Sequence, residues 1–145
     1  MLMRLGLLLL VGLIGLMGYI RLAPARADDL NNLPSTNGIG DTQRPGGFMT
    51  ARQIAAPAQT VLQAVAQVAS AAPRTRLVAG SVQDGMMTFV TRSALWGFPD
   101  YTTAAVQGDI LVISGHLRFG RSDMGVNKSR ILGWLAQLAP LTVPL

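Results

Sequence analysis

The sequence predicts an α+β fold, a two-layer sandwich in which an antiparallel sheet of about four strands packs against one helix before it and one after it. Two segments, residues 57–72 and 122–139, repeat apolar side chains at helical spacing. Between them, four short runs of strand-forming residues are separated by turn signals. An unbroken apolar run precedes the whole domain, which predicts a transmembrane or signal helix at the N-terminus.

The apolar run extends from Leu5 to Ile20, with Arg4 before it and Arg21 after it. As a helix it covers about 24 Å, against about 30 Å for a hydrocarbon core, and the extended stretch 5–23 can just cross a bilayer. This length favours an uncleaved single-pass anchor in the cell inner membrane, with the domain in the periplasm. Arg4 favours that orientation under the positive-inside rule, whereas Arg21 and Arg26 oppose it.

The alternative is a cleaved signal peptide. Ala25-Arg26-Ala27 places small residues at the two positions that a signal peptidase reads. Cleavage after Ala27 would release the domain into the periplasm. In either case residues 1–27 form the membrane segment, and 28–47, rich in Asn, Pro and Gly, are predicted to be a linker. The α+β domain then covers 48–145.

The first elements of the domain are a short strand at 48–54 and a helix that Pro57 opens and Pro73 ends. Four strands follow at 76–82, 86–92, 101–106 and 110–119. The first two are joined by Asp84-Gly85, a pair typical of tight hairpins.

The last helix is expected to start near Ser122 or Asp123, since both residue types are good N-caps. Its core-facing stripe has spacings of three and four residues. The stripe comprises Ile131, Trp134, Leu135 and Leu138. Trp134 is therefore predicted to lie buried between this helix and the sheet.

Composition excludes several classes of function. Of the 12 Lys+Arg residues, Arg4, Arg21 and Arg26 flank the apolar run, which leaves nine bases against seven acids in the rest. That balance is too weak for a nucleic-acid-binding face. The absence of cysteine excludes disulfides, thiol nucleophiles and thiolate metal sites. No cofactor is expected.

The polar residues around the start of the last helix form the main candidate site. Strands 86–92 and 110–119 should run in the same direction, so the segments that follow them lie at one end of the sheet. The candidate set is Arg92, Asp100, Arg121, Ser122, Asp123, Asn127 and Arg130. Helix N-terminal N–H groups with nearby arginines could bind a small anion. Alternatively the set is structural, with the acids capping the helix and neutralising the arginines.

His116 is the only histidine, and with a Ser (114 or 122) and an Asp (100 or 123) it suggests a small hydrolase. No nucleophile-elbow motif accompanies it. A lone histidine on a half-polar strand is more often a surface residue. One histidine with scattered acids gives no metal-ligand spacing, so no metal site is predicted.

The stretch from Phe119 to Arg130, with Gly-Arg-Ser-Asp, an apolar residue, Gly and Asn before basic residues, resembles the signature of the domain-of-unknown-function 1499 family. Thr91-Arg92-Ser93 and Gly97-Phe98-Pro99-Asp100 resemble a second segment of that family. The similarity covers about residues 48–139. Many members carry a Cys-containing segment ahead of the first helix, which this chain lacks, so any role of that segment is not carried over.

The apolar helix leading into Arg21-Leu22-Ala23-Pro24 resembles a subgroup of alphaproteobacterial members that keep an N-terminal anchor. The resemblance thus implies a fold and a cellular address but no activity. The favoured function is a membrane-tethered envelope domain, non-enzymatic, that binds a protein partner or a small anionic ligand. The alternatives are the hydrolase at His116 and a purely structural accessory of a membrane complex.

Overall fold

A computed structural model describes residues 2–25, 27–33, 35–36 and 38–145, without the side chains of Leu2 and Ala27. Three α-helices and a six-stranded, fully antiparallel sheet make up the α+β fold. The strand order across the sheet is β1-β2-β6-β5-β4-β3. The elements are α1 Leu2–Leu22, β1 Gly40–Arg44, β2 Gly47–Gln53, α2 Ala58–Ala71, β3 Thr75–Ser81, β4 Met86–Arg92, β5 Pro99–Gln107, β6 Ile110–Leu117 and α3 Val126–Gln137.

Helix α1 is the apolar N-terminal segment. Its 21 residues cover about 31 Å, which matches the thickness of a hydrocarbon core. Within the described residues, Met3–Leu22 is the one helix that is long and apolar enough to cross a membrane, a test that a signal sequence also passes. Its large apolar side chains are exposed along most of its length.

The main core lies between the sheet and the helices α2 and α3. Because side chains alternate along a strand, Leu111 and Ile113 of β6 face these helices together with Phe89 of β4. Trp134 of α3 is 4% exposed, and its ring meets Phe89 edge-on at 5.9 Å. The predicted burial of Trp134 is confirmed.

The opposite face of the sheet is covered by the segment that follows α1. Leu33 packs against a small apolar cluster that includes Met49 and Val112. The main-chain N–H of Asn31 donates to Thr88 Oγ1 at 2.9 Å. Part of the segment expected to be a linker therefore packs on the sheet.

The prediction of about four strands is wrong, since the sheet has six. The short strand expected at 48–54 is β2, and it lies between β1 and β6 rather than outside the sheet. Strand β1 falls inside the segment 28–47. Its residues Gly-Asp-Thr-Gln-Arg contain no apolar side chain, so pairing with β2 defines this edge strand and no hydrophobic pattern does.

The last helix begins later than predicted. Ser122 and Asp123 do not occupy its N-cap, which is Gly125 in the left-handed region with φ of 80°. Met124 also has a positive φ, of 49°. Two successive left-handed residues cannot continue a helix, so the helical hydrogen bonds start only after them. Three positions of the membrane and linker predictions, Arg26, Pro34 and Asn37, lie outside the described residues.

Candidate functional site

The loops after β4 and β6 lie at one end of the sheet, because both strands are antiparallel to β5. This is the arrangement that the candidate set required. Asp100, near the start of β5, projects from the face that carries α3, where it meets the first turn of that helix.

Three side chains close a small polar triangle at this point. Arg130 Nη2 donates to Asp100 Oδ2 at 3.2 Å, and Arg130 Nη1 donates to Asn127 Oδ1 at 2.7 Å. Asn127 Nδ2 donates to the same Asp100 oxygen at 3.4 Å. Asn127 is fully buried. Gly115 makes room for it, because a Cβ there would lie 2.9 Å from Asn127 Oδ1. The triangle thus pins the first turn of α3 to the sheet.

Burial raises the pKa of Asp100 above its usual value, and the hydrogen bond and charge of Arg130 oppose that rise. Arg130 therefore stabilises the ionised form of Asp100, and removing Arg130 would leave a buried carboxylate without a charged partner. A cleft of about 480 Å³ opens beside Asp100 and Arg130.

Asp123 caps α3 from two residues before the cap position. Its Oδ1 accepts the N–H of Gly125 at 3.1 Å, and its Oδ2 accepts the N–H of Asn127 at 3.0 Å. Burial alone would raise the pKa of Asp123, but these hydrogen bonds outweigh burial and lower it. The function that the sequence assigned to Asp123 is present, although the helix begins later.

The remaining three members of the candidate set do not join the triangle. Arg121 and Ser122 are exposed, and Ser122 Oγ accepts only a local N–H, from Met124 at 3.3 Å, among the described residues. Arg92 donates toward the other side of the sheet, to the carbonyls of Gly97 at 2.9 Å and Ile20 at 3.4 Å. Hydrogen bonds thus hold four of the seven residues at the start of α3, and Arg92 lines the cleft beside Asp100 and Arg130.

His116 lies on the sheet face opposite α3, where its nearest acid is Asp29. The Nε2 atom is 3.8 Å from Asp29 Oδ1, and Arg118 Nε is 4.0 Å from Asp29 Oδ2. Asp29 Oδ2 and Arg118 Nε are both buried, and neither has a hydrogen-bond partner among the residues that the structure describes. Asp100 belongs to the other face, as the register of β5 and β6 shows, so it does not orient His116.

Ser114 and His116 share a face of β6 and line one pocket of about 280 Å³ with Asp29. Residues two apart on a strand stand about 6–7 Å apart, which is too far for a direct hydrogen bond between parallel side chains. Ser114 is also 4% exposed. The pocket therefore holds an acid, a histidine and a serine, with Ser114 beyond direct hydrogen-bond distance of His116. Among the described residues, no group of three or more possible metal ligands occurs.

The end of α1 is joined to this sheet face by hydrogen bonds that the sequence did not indicate. Arg118 Nη1 donates to the carbonyl of Pro24 at 2.6 Å, and Arg21 Nη2 donates to the carbonyl of Leu95 at 3.3 Å. Ile20 and Ala23 are buried, at 4% and 9% exposed. In the sequence, Arg21 is recognisable only as a flank of the membrane segment. Its contact with Leu95 joins residues 74 positions apart, and no periodic pattern in the sequence indicates such a contact.

Fold and site together define an α+β domain that follows an N-terminal helix able to act as a membrane tether or a signal. Residues 25–138 match "Protein of unknown function (DUF1499)", and the chain belongs to this family. The resemblance at the start of the last helix is thereby confirmed.

No curated protein matches the chain. Among solved structures, a DUF4468 family protein from Bacteroides ovatus is similar at 12% identity with a TM-score of 0.37. That match covers 64% of this chain, and it spans 62% of the other chain's length.

Proposed function

We propose that this protein is a single-pass, membrane-tethered envelope module whose domain is held against the bilayer surface and acts by binding. The observation that carries the proposal is the junction between α1 and the sheet. Arg92 and Arg118 donate to carbonyls of Ile20 and Pro24, so the last turn of the helix and the residues after it are part of the folded unit.

The same junction argues for retention of α1. Cleavage after Ala27 would remove Ile20 and Ala23 from the places where they are buried. It would also take away carbonyl acceptors of two arginines, and Arg118 is itself largely buried. Loss of acceptors from buried donors is costly, because each donor then lacks both water and a partner. A signal peptide that stabilises the mature fold in this way would be an unusual use of a discarded segment.

For the start of α3 we propose a structural role. Asp100 neutralises Arg130, and Asp123 is satisfied by main-chain N–H groups. Within the described residues, the charge left there for an anion is that of the exposed Arg121 and Lys128. A binding role belongs to charged groups elsewhere on the membrane-facing side.

The tether is tested on the protein purified from membranes. N-terminal sequencing should show that the mature chain still contains α1, and the protein should resist extraction by alkaline carbonate. A mature start at Asp28 would refute the tether.

The side of the membrane is tested by single cysteines, which the cysteine-free chain makes unambiguous. Gln107→Cys, at an exposed turn of the domain, should react with a membrane-impermeant maleimide in cells whose outer membrane is permeabilised. Met3→Cys, at the other end of α1, should react only after the inner membrane is opened. The reverse pattern would place the domain in the cytoplasm.

The hydrolase remains a second candidate because Asp29, Ser114 and His116 line one pocket. It requires Ser114 to act as nucleophile, which predicts that ester hydrolysis by the purified protein falls to background in both Ser114→Ala and His116→Gln. Activity that survives either change, or that the wild type lacks, excludes this candidate.

A further inference from the structure

Four arginines from three separate parts of the chain line one cleft of about 390 Å³ beside the end of α1. They are Arg21, Arg74, Arg76 and Arg92. Arg21 comes from the last turn of α1 and Arg92 from the end of β4. Arg74 directly precedes β3, and Arg76 is the second residue of that strand. The fold thus concentrates charge that the sequence spreads over 70 positions.

Carboxylates do not neutralise this cleft within the described part of the chain. The ion pairs among the described residues involve Arg52, Arg118, Arg130 and His116, and none of these residues lines the cleft. Arg92 donates to the carbonyl of Gly97, and Arg74 Nε donates to the carbonyl of Arg92 at 3.0 Å. Such hydrogen bonds fix the guanidinium groups in place but leave their charges uncancelled. A fixed group of like charges favours an anion between them.

A wholly apolar groove of about 290 Å³ lies on the membrane side of the same loop. Leu95 and Trp96, from the loop after β4, form one wall, and Leu13, Ile14 and Met17 of α1 form the other. Met17 precedes Arg21 by about one helical turn, or roughly 6 Å along the axis. With α1 across a bilayer, the groove therefore lies at the acyl-chain level and the arginine cleft at the headgroup level. Trp96 occupies the interfacial depth where tryptophan is enriched.

We propose that these two sites together bind one anionic glycerophospholipid, with its phosphate among the four arginines and an acyl chain in the groove between α1 and Leu95-Trp96. This proposal rests on the proposed function, because α1 must stay attached. A free anion would need the cleft alone. The adjoining groove and its depth assign the ligand to a lipid, and the arginines assign a negative headgroup.

The test uses the full-length protein in an uncharged detergent, with its intact mass measured on the same sample. Thermal unfolding is followed while phosphatidylglycerol, phosphatidylcholine or inorganic phosphate is added. We expect phosphatidylglycerol to raise the melting temperature saturably, and the other two to have little effect at equal concentration.

Arg76→Gln and Arg121→Gln form a matched pair, since each removes one exposed arginine that donates no hydrogen bond within the described residues. One arginine near an anionic surface contributes about 1 kcal/mol, so Arg76→Gln should weaken the apparent affinity for phosphatidylglycerol about fivefold. Arg121→Gln should bind as the wild type does. Leu95→Ser should also weaken binding of the lipid without creating a response to phosphate.

Three results obtained with the intact chain would overturn the proposal, and one result on the chain itself would do so as well. Inorganic phosphate that stabilises as well as phosphatidylglycerol would show a free-anion site. Equal losses in Arg76→Gln and Arg121→Gln would show unspecific attraction to charge, and an intact chain that ignores phosphatidylglycerol would show no lipid site at all. A chain that starts at Asp28 lacks Arg21 and the groove, and it would remove the tether and this proposal together. An intact chain that fails the lipid test would leave the tether standing.

Discussion

Replacing Arg130 by methionine tests whether the start of α3 is a structural cluster. The substitution keeps much of the aliphatic volume but removes the donors to Asp100 Oδ2 and Asn127 Oδ1, at 3.2 and 2.7 Å. The side chains of Arg130 and Asp100 are only 12% and 16% exposed, so solvent screens their interaction weakly. Breaking a buried pair from one side typically costs about 3–5 kcal/mol, which is our expectation for Arg130→Met at pH 7.

The loss should depend on pH in a direction that the pKa of Asp100 determines. Burial raises this pKa in the folded protein, and removal of Arg130 removes the main group that opposes the rise. A raised carboxyl pKa gives stability that is complete below the unfolded value of about 3.9 and is lost as pH rises through the folded value. The deficit of Arg130→Met should therefore be smaller near pH 4 than at pH 7.

Urea unfolding of the full chain in uncharged micelles, followed by tryptophan fluorescence, measures the free energy of unfolding at each pH. Arg121→Met is the control, because Arg121 is exposed and should change the free energy of unfolding by less than about 0.5 kcal/mol. The double variant Asp100→Asn, Arg130→Met should recover part of the loss, since no buried charge remains. Equal stabilities of Arg130→Met and Arg121→Met at pH 7 would refute the structural role of the cluster.

Two further changes probe the packing around this cluster. Trp134→Ala should lower the free energy of unfolding by about 3–5 kcal/mol because it empties the buried site against Phe89, and a melting temperature within two degrees of wild type would contradict this. Gly115→Ala should lower it by about 1–3 kcal/mol, since the added Cβ would lie 2.9 Å from Asn127 Oδ1. Gly133→Ala, on the exposed side of α3 with open space around its Cβ, is its control and should instead gain about 0.5–1 kcal/mol in the same unfolding measurement.

Strands β3 and β4 could be predicted from the sequence because local patterns define them. Runs of strand-forming residues and an Asp-Gly turn delimit both strands, and the observed strand Met86–Arg92 has the predicted bounds. Strand β1 carries no such pattern. It is held by pairing with β2 and by contacts such as Arg52 Nη2 to Asp41 Oδ1 at 2.7 Å, which join residues eleven apart.

The candidate site was predictable where sequence order fixes geometry. Antiparallel pairing alone brings Asp100 to the start of the last helix, and Asn127 and Arg130 follow from one helical turn. Side-chain direction was not predictable for Arg92, because strand alternation sends it to the opposite face from Asp100 only once the register is known. The arginine cleft was also not predictable from the sequence, since it depends on how the end of α1 contacts β3 and β4.

Replacing Asp123 tests whether the charge of its carboxylate, and not only the conformation of the loop, determines where α3 begins. Its two oxygens accept N–H groups of Gly125 and Asn127, next to the positive end of the α3 dipole. Asp123→Ala should thus cost about 0.5–2 kcal/mol at pH 7. These hydrogen bonds lower the pKa of Asp123 in the folded protein, so its stabilisation is present above the unfolded value of about 3.9 and is lost as pH falls below that value through the folded one. Urea unfolding should therefore show the gap between wild type and Asp123→Ala holding from pH 7 to about pH 4 and closing toward pH 2, whereas the exposed control Asp28→Ala should show little gap at any pH. A gap that stayed constant down to pH 2 would mean that the shape of the loop, and not the carboxylate, determines where α3 begins.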